Sequence, residues 1–244
     1  KIKLNQQMNK TLEAIGQAIF KRWFVDFEFP NEKGKPYKSS GGEMIDSEMG
    51  RIPKGWKIGE IIDEFNLTMG QSPPGNSYNK VSEGIAFFQG RTDFSFRYPT
   101  KRVFCTEPAR FAELGDTLVS VRAPVGDINM ANERCCIGRG VAAIRHKTGS
   151  RSYTYYSIQH LREKFLNFEA EGTVFGSIGK TDFEKMRMII PSRQMINLFE
   201  TIVYYMDEKI GNNSFSVESL SQIRDSLLPR LMSGKIRVPV EVRA

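Results

Sequence analysis

The sequence predicts an α+β fold: an irregular, mostly antiparallel-sheet domain with a long coiled-coil-forming α-helix and an N-terminal helix segment. Three observations carry this. Between Trp56 and Ile190, short apolar or alternating runs are separated by glycine and proline turns, as in short strands. No regular exchange of strand and helix periods runs through that region, which argues against a βαβ design. Both ends of the chain instead show a three-four apolar spacing, the period of an amphipathic helix.

In order along the chain, Leu4, Met8, Leu12, Ile15, Ile19 and Trp23 mark one apolar face, so residues 1–26 read as helix. Residues 27–54, FEFPNEKGKPYKSSGGEMIDSEMGRIPK, shift to Pro, Gly, Ser and Lys and read as a linker. The domain follows over 55–192. Strands are expected in GIAFFQG, TLVSVRAPVG, CCIGRGVAAIRH and MRMIIPS, with a helix over Tyr153–Asn167 packed against them. Residues 193–233 return to helix. There Phe199, Ile202, Met206, Ile210, Asn213, Val217, Leu220 and Leu227 form a seam of the coiled-coil kind, with Asn213 as a polar register-setter. From Arg193 to Leu228 such a helix spans about 54 Å, more than one domain of this size covers. The seam is therefore expected to meet a partner, the alternative being packing on its own domain. Pro229 is expected to stop or kink it, leaving 234–244 as a tail.

Composition narrows the function classes. Thirty-five Lys and Arg against 28 Asp and Glu give a net charge of +7, which favours a polyanionic partner. Cys105, Cys135 and Cys136 suit a reducing compartment. With only His146 and His160 beside them, they offer no spacing for a metal site. No apolar run approaches the roughly 20 residues of a membrane helix and no signal peptide is visible. A soluble, cytoplasmic protein without a membrane partner is expected. The chain opens with Lys1 inside a helical pattern, as a fragment or processed form would.

There is also an internal echo. LEAIGQAIFKRW (Leu12–Trp23) resembles LSQIRDSLLPRL (Leu220–Leu231), with Leu12 matching Leu220, Ile15 Ile223, Ile19 Leu227, Phe20 Leu228 and Arg22 Arg230. Chance similarity between amphipathic helices is the alternative. A true repeat would make the unit one domain plus one long helix.

The order of these parts resembles the specificity (S) subunit of type I restriction–modification systems. The stretches that carry the resemblance are FVDFEFP (Phe24–Pro30), MIDSEMGRIPKGW (Met44–Trp56), GQSPPGNSYN (Gly70–Asn79), VSVRAPVGDINMA (Val119–Ala131), CCIGRGVAAI (Cys135–Ile144), GTVFGSIGKTDFEKMRMIIPS (Gly172–Ser192) and RDSLLPRLMSGKI (Arg224–Ile236). Each is loose alone, and seven in the family's order are specific. The resemblance implies that 1–26 is the end of a conserved spacer helix, 55–192 a target-recognition domain and 193–233 the next conserved spacer helix. Such a subunit reads one half of a bipartite double-stranded DNA site with each such domain. Its helices set the gap between halves and dock modification (methyltransferase) subunits, which restriction subunits join. It has no catalytic activity and no cofactor of its own; S-adenosylmethionine is expected only on the modification subunits. The family pattern has two recognition domains and this chain has one. It therefore reads as a second half or as a half-length subunit, and the latter would homodimerise through the long helix to restore two-fold symmetry.

The residues argue against enzymatic readings. GTVFGSIGKTDF (172–183) ends in Gly-Lys-Thr, but a phosphate-binding loop needs glycine where Val174 stands, and no apolar strand precedes it. SPPG (Ser72–Gly75) approaches the motif of adenine methylases, yet Gly75 stands where an aromatic residue must stack on the flipped base. The stretch reads better as a rigid turn. No paired carboxylates with a lysine suggest metal-assisted hydrolysis.

DNA contact is the sharper reading. In the glycine stretch, Thr173, Ser177, Lys180 and Thr181 offer small donors and one charge to phosphate, the alternative being plain turns before a strand over Met186–Ile190. Base reading in the major groove calls for Arg, Asn or Gln on stiff loops. The candidates are Gln71, Asn76, Gln89, Arg91, Arg97, Arg122 and Arg139, with Ser72 beside them. For Arg122 and Arg139 the alternative is an ion pair within the domain. Tyr78, Phe94 and Phe96 are expected in packing, the alternative being contact with base methyls or sugars. Two other classes stay open: an adenine methyltransferase in its own right, and a coiled-coil scaffold that does not bind DNA.

Overall fold

A computed structural model describes residues 1–165 and 176–236. Helix α1 covers Ile2–Phe20 and tightens into a π-turn over Lys21–Val25. A hairpin of β1 (Met44–Ser47) and β2 (Gly50–Pro53) follows, then β3 (Lys57–Glu60), the single turn α2 (Ile61–Glu64) and β4 (Phe65–Met69). Next come β5 (Tyr78–Asn79), β6 (Ile85–Phe88), β7 (Phe104–Cys105), β8 (Phe111–Ala112), β9 (Thr117–Ser120), β10 (Ile128–Met130), β11 (Cys135–Ile137) and β12 (Val141–His146). Helices α3 (Arg151–His160) and α4 (Lys180–Glu184) precede β13 (Arg187–Ile190), and α5 (Arg193–Met232) ends the described chain.

The strands form four small sheets. One orders β10-β9-β12-β4 and another β5-β7-β6-β11-β8, with the pairs β1-β2 and β13-β3 apart. Every pairing is antiparallel except β6 with β11. This is the irregular α+β architecture that the short, turn-bounded runs predict.

Two compact units divide the chain: Gln17–Tyr204, and Lys1–Gly16 together with the chain from Tyr205 onward. In the first, the core joins three sources. Phe20, Trp23 and Phe24 come from the end of α1 and the π-turn, Tyr153, Tyr155 and Tyr156 from α3, and Ile196, Phe199 and Val203 from the base of α5. Phe24 meets Phe199 and Tyr153 edge to face at 5.3 Å each, the geometry aromatic quadrupoles favour. Each such fully buried ring contributes roughly 1.5–3 kcal/mol.

Residues 27–54 are packed where composition reads as linker. Phe29 stacks between Tyr37 at 4.6 Å and Trp56 at 5.1 Å, and Ile52 is buried. The polar residues of this stretch lie outside while three apolar ones hold it to the core; averaged composition hides that arrangement.

The other unit shows a second departure. On α1 the expected apolar face is exposed at Leu4, Met8 and Ile15, whereas Asn5, Asn9 and Glu13 are buried. Two of the buried amides, Asn9 and Asn213, are satisfied across the pair. Asn213 Nδ2 donates to Asn9 Oδ1 at 2.9 Å, and Asn9 Nδ2 donates to Ser214 Oγ at 3.0 Å. Hydrogen bonds make this polar seam tolerable and leave the apolar stripe outside. On α5, Phe199, Ile210 and Asn213 are buried. Met206, Val217 and Leu220 are half-buried, and Ile202 and Leu227 are exposed. Pro229 does not end the helix, which runs on to Met232.

Candidate nucleic-acid interface

Four strands of the two larger sheets run out at one edge. Past β4, Gly70 N donates to Val141 O at 2.9 Å and Gln71 N to Ile137 O at 3.0 Å. Past β11, Gly138 N donates to Phe88 O at 2.8 Å, at the end of β6. Past β9, Val121 N donates to Gly140 O at 3.0 Å, and Ile178 N in turn donates to Val121 O at 3.0 Å. Arg122 and Ser177 face each other in an isolated antiparallel bridge. Gln71, Ser72, Gln89, Arg122, Arg139 and Ser177, spread over more than a hundred residues of sequence, are thereby brought onto one rim.

Glycine makes the rim possible by close approach. A Cβ at Gly70 would stand 2.2 Å from Gly138 O, and one at Gly140 would stand 2.3 Å from Gln89 O. Any side chain at either place would push the loops apart.

Side chains fix each presenting loop. The Asp93 carboxylate accepts from Gln89 N at 2.7 Å, and Arg102 donates to its other oxygen. Ser120 Oγ donates to Pro124 O at 2.8 Å while accepting from Asp127 N at 2.9 Å, closing the turn that carries Arg122. Ser72 Oγ accepts from Arg139 N at 3.4 Å. The Pro73-Pro74 turn is pinned by Tyr78 Oη donating to Pro73 O at 2.9 Å and Ser77 Oγ to Pro74 O at 2.7 Å. Gln71, Gln89, Arg122 and Arg139 are exposed. Among the described residues no ion pair engages Arg122 or Arg139. The rim therefore presents two uncompensated guanidinium groups and two amides on stiff backbone, a donor set suited to base edges and phosphate oxygens.

The other candidates lie differently. Lys180 and Thr181 are exposed in the first turn of α4, one short step from Ile178, with Lys180 3.5 Å from Glu184. Asn76 is exposed on its own turn, Gly75–Ser77, beside β5 and β7. Arg91 is exposed and pairs with Asp127 at 2.8 Å. Thr173 lies outside the described residues.

Arg97 is buried, contrary to the expectation of a base reader. It is 1% exposed, its guanidinium lies 3.8 Å above the Tyr155 ring, and Nη2 donates to Tyr156 Oη at 3.0 Å. A cation sealed among tyrosines braces the core and reaches no base edge. Its neighbours in sequence, DFSFRYP, give no periodicity that separates a buried arginine from an exposed one.

Sequence reasoning also passed over Arg162, which is exposed and pairs with Asp127 at 2.8 Å. The helical pattern of its segment singles out no cation, so only tertiary placement brings it forward. Asp93 and Ser120, which hold the loops, were missed as well. An Asp four residues after Gln89 is the local signal that exists for such a turn.

The base of α5 is anchored by charge. The Glu200 carboxylate accepts from Arg151 N, Ser152 N and Tyr153 N at 2.9, 3.1 and 3.0 Å, closing the N-terminus of α3 from outside. Arg193 Nη2 meets Glu64 Oε2 at 3.1 Å, and His146 Nε2 lies 3.2 Å from the same oxygen. Burial, reinforced by Arg193 and Lys147, moves His146 below the usual imidazole range against the pull of Glu64. Burial also drives the Cys105 and Cys135 thiols up to about 12, which leaves them unreactive. Among the described residues no cluster of three or more ligands could hold a metal ion, and no helix is long and apolar enough to cross a membrane.

Comparisons with known proteins decide the family. The chain is 31% identical over 238 residues to the type I restriction enzyme MjaX specificity subunit of Methanocaldococcus jannaschii, covering 95% of this chain and 53% of that one. This chain belongs to the specificity-subunit family of type I restriction enzymes. The MjaIX specificity subunit of the same organism is 25% identical, with 97% and 56% covered. The crystal structure of the HsdS subunit from Thermoanaerobacter tengcongensis superposes with a TM-score of 0.57 at 26% identity, over 94% of this chain and 52% of that one. No family model matches. The chain spans about half the length of the specificity subunits it resembles.

Proposed function

We propose that this chain is a DNA-recognition element without catalytic activity, reading one half of a bipartite site on behalf of partner subunits. Its recognition domain covers 55–192. The rim of Gln71, Ser72, Gln89, Arg122, Arg139 and Ser177 addresses the duplex, with Lys180 and Thr181 contacting phosphate. Arg122 and Arg139 are the readers with the strongest support, because they are exposed, unpaired among the described residues and held on fixed loops. That convergence is the single observation that carries the reading.

The helices α1 and α5 take the partners in this reading. Modification subunits, carrying S-adenosylmethionine, dock along them, and restriction subunits join that core. The exposed end of α5, with Ile223 52%, Leu227 40% and Leu228 48% exposed, corresponds in the internal echo to Ile15, Ile19 and Phe20, and Phe20 is buried in a domain core. We assign that end to a second recognition domain, supplied by another copy of the chain or by another part of a longer one.

The test is methylation mapping in cells carrying the chain with its modification subunits. A bipartite motif that changes when this chain is exchanged supports the reading. A motif unaffected by the exchange overturns it.

A further inference from the structure

Asp127 stands where three segments of the recognition domain meet. Its backbone closes the turn that presents Arg122, with Ser120 N donating to Asp127 O at 2.8 Å. Its carboxylate faces two arginines from elsewhere in the chain. Arg162 Nη2 donates to Oδ1 at 2.8 Å. Arg91 Nε stands 2.8 Å from Oδ2 but without the N–H alignment of a hydrogen bond. The two arginine side chains are 61% and 56% exposed and the carboxylate 19%.

The inequality matters. Arg162 is held by direction as well as charge, Arg91 by charge alone. The guanidinium ends lie in solvent, where ion pairing is screened; the carboxylate is only 19% exposed, so a competing anion must offset its loss of compensation. A phosphodiester oxygen is an equivalent anionic acceptor, and a guanidinium can grip it at two points. We infer that Asp127 is an intramolecular stand-in for a backbone phosphate. It occupies Arg91 and Arg162 in the free protein and yields them to the duplex. Its effect is to lower affinity for DNA of any sequence, so that binding depends more on the base-reading rim. Arg91, read from sequence as a base reader, is thereby assigned to phosphate. This inference rests on the reading of the rim as the DNA-binding edge.

The experiment measures binding by the full chain, alone and with its modification subunits. The probes are a random-sequence duplex and a duplex that the wild type selects from a random pool. Asp127→Asn should tighten binding to the random duplex about threefold or more at low salt, an advantage that salt erases. The ratio of selected to random affinity should narrow. Arg91→Ala should cost more in the Asp127→Asn background than in the wild type. If Asp127→Asn keeps the wild-type melting midpoint but binds the random duplex equally or more weakly, Asp127 is only a brace and the inference is wrong. Should that variant fail to fold, Arg91→Ala and Arg162→Ala decide. Each must weaken binding by a similar factor across sequences, and no effect from either overturns the inference. Arg122→Ala and Arg139→Ala separate the two levels. If these change binding while the Asp127, Arg91 and Arg162 variants do not, only the inference fails. If none of them changes binding, the rim itself has been misread and both fall.

Discussion

Asn213 donates its amide to Asn9 Oδ1 at 2.9 Å, and both residues are buried although they lie 204 positions apart. A polar pair at the heart of a helix seam specifies which faces meet, because any other pairing strands an amide. Asn213→Ala leaves the Asn9 oxygen without this donor and should destabilise that unit by about 1–3 kcal/mol. The double variant Asn9→Leu/Asn213→Leu should recover much of that loss. Urea denaturation of the two singles and the double gives the coupling directly.

Glu200 gives a second expectation. One carboxylate serves three N–H groups at the start of α3, a position where capping contributes about 0.5–2 kcal/mol. Glu200→Ala should cost that amount or slightly more. Glu200→Gln, which still accepts hydrogen bonds but lacks the charge, should lie between. Thermal midpoints of the three proteins rank them, and equal midpoints would contradict the capping role.

His146 sets a pH dependence whose sign follows from its environment. Thr148 N donates to Nδ1 at 3.2 Å, and Nε2 lies 3.2 Å from Glu64 Oε2 and 3.3 Å from Arg193 Nη1. Burial holds the folded pKa below the usual value, so the unfolded chain takes up the proton first. Stability from this group is complete above about pH 6.5 and is lost as pH falls below it, by at most about 1.4 kcal/mol per pH unit. His160, also lowered by burial, adds in the same direction. Denaturation midpoints taken from neutral to mildly acidic pH should decline, and His146→Gln should flatten the decline.

The close approach of the rim loops is testable without touching a charged group. Gly140→Ala places a methyl 2.3 Å from Gln89 O. The substitution should cost stability, about 1–3 kcal/mol as for other overpacking changes, and should weaken selection for a preferred DNA sequence by displacing Gln89 from Arg139. Binding and melting measured on the same preparation check both effects.

Much of this was legible in the chain itself. Strand runs such as GIAFFQG and TLVSVRAPVG fall where expected because glycine and proline bound them on both sides. The rim candidates Gln71, Arg122 and Arg139 were legible as polar residues next to such turns. What was not legible depends on tertiary contact. Arg97 looks like any surface arginine until Tyr155 and Tyr156 close over it. Phe29 reads as one aromatic in a polar linker until it stacks on Trp56. The burial of Asn9 in place of Met8 cannot come from a hydrophobic pattern, because hydrogen bonding to Asn213 and Ser214 across the seam overrides that pattern.

The central claim is that the rim carrying Arg122 and Arg139 reads sequence, and selection from a random duplex pool tests it most directly. The wild-type chain, with the modification subunits proposed for it, should enrich one motif. Arg139→Ala or Arg122→Ala should relax that motif at particular positions, at a cost of about 1–3 kcal/mol per lost base contact. An unchanged motif in both variants, or no enrichment by the wild type, would contradict the account.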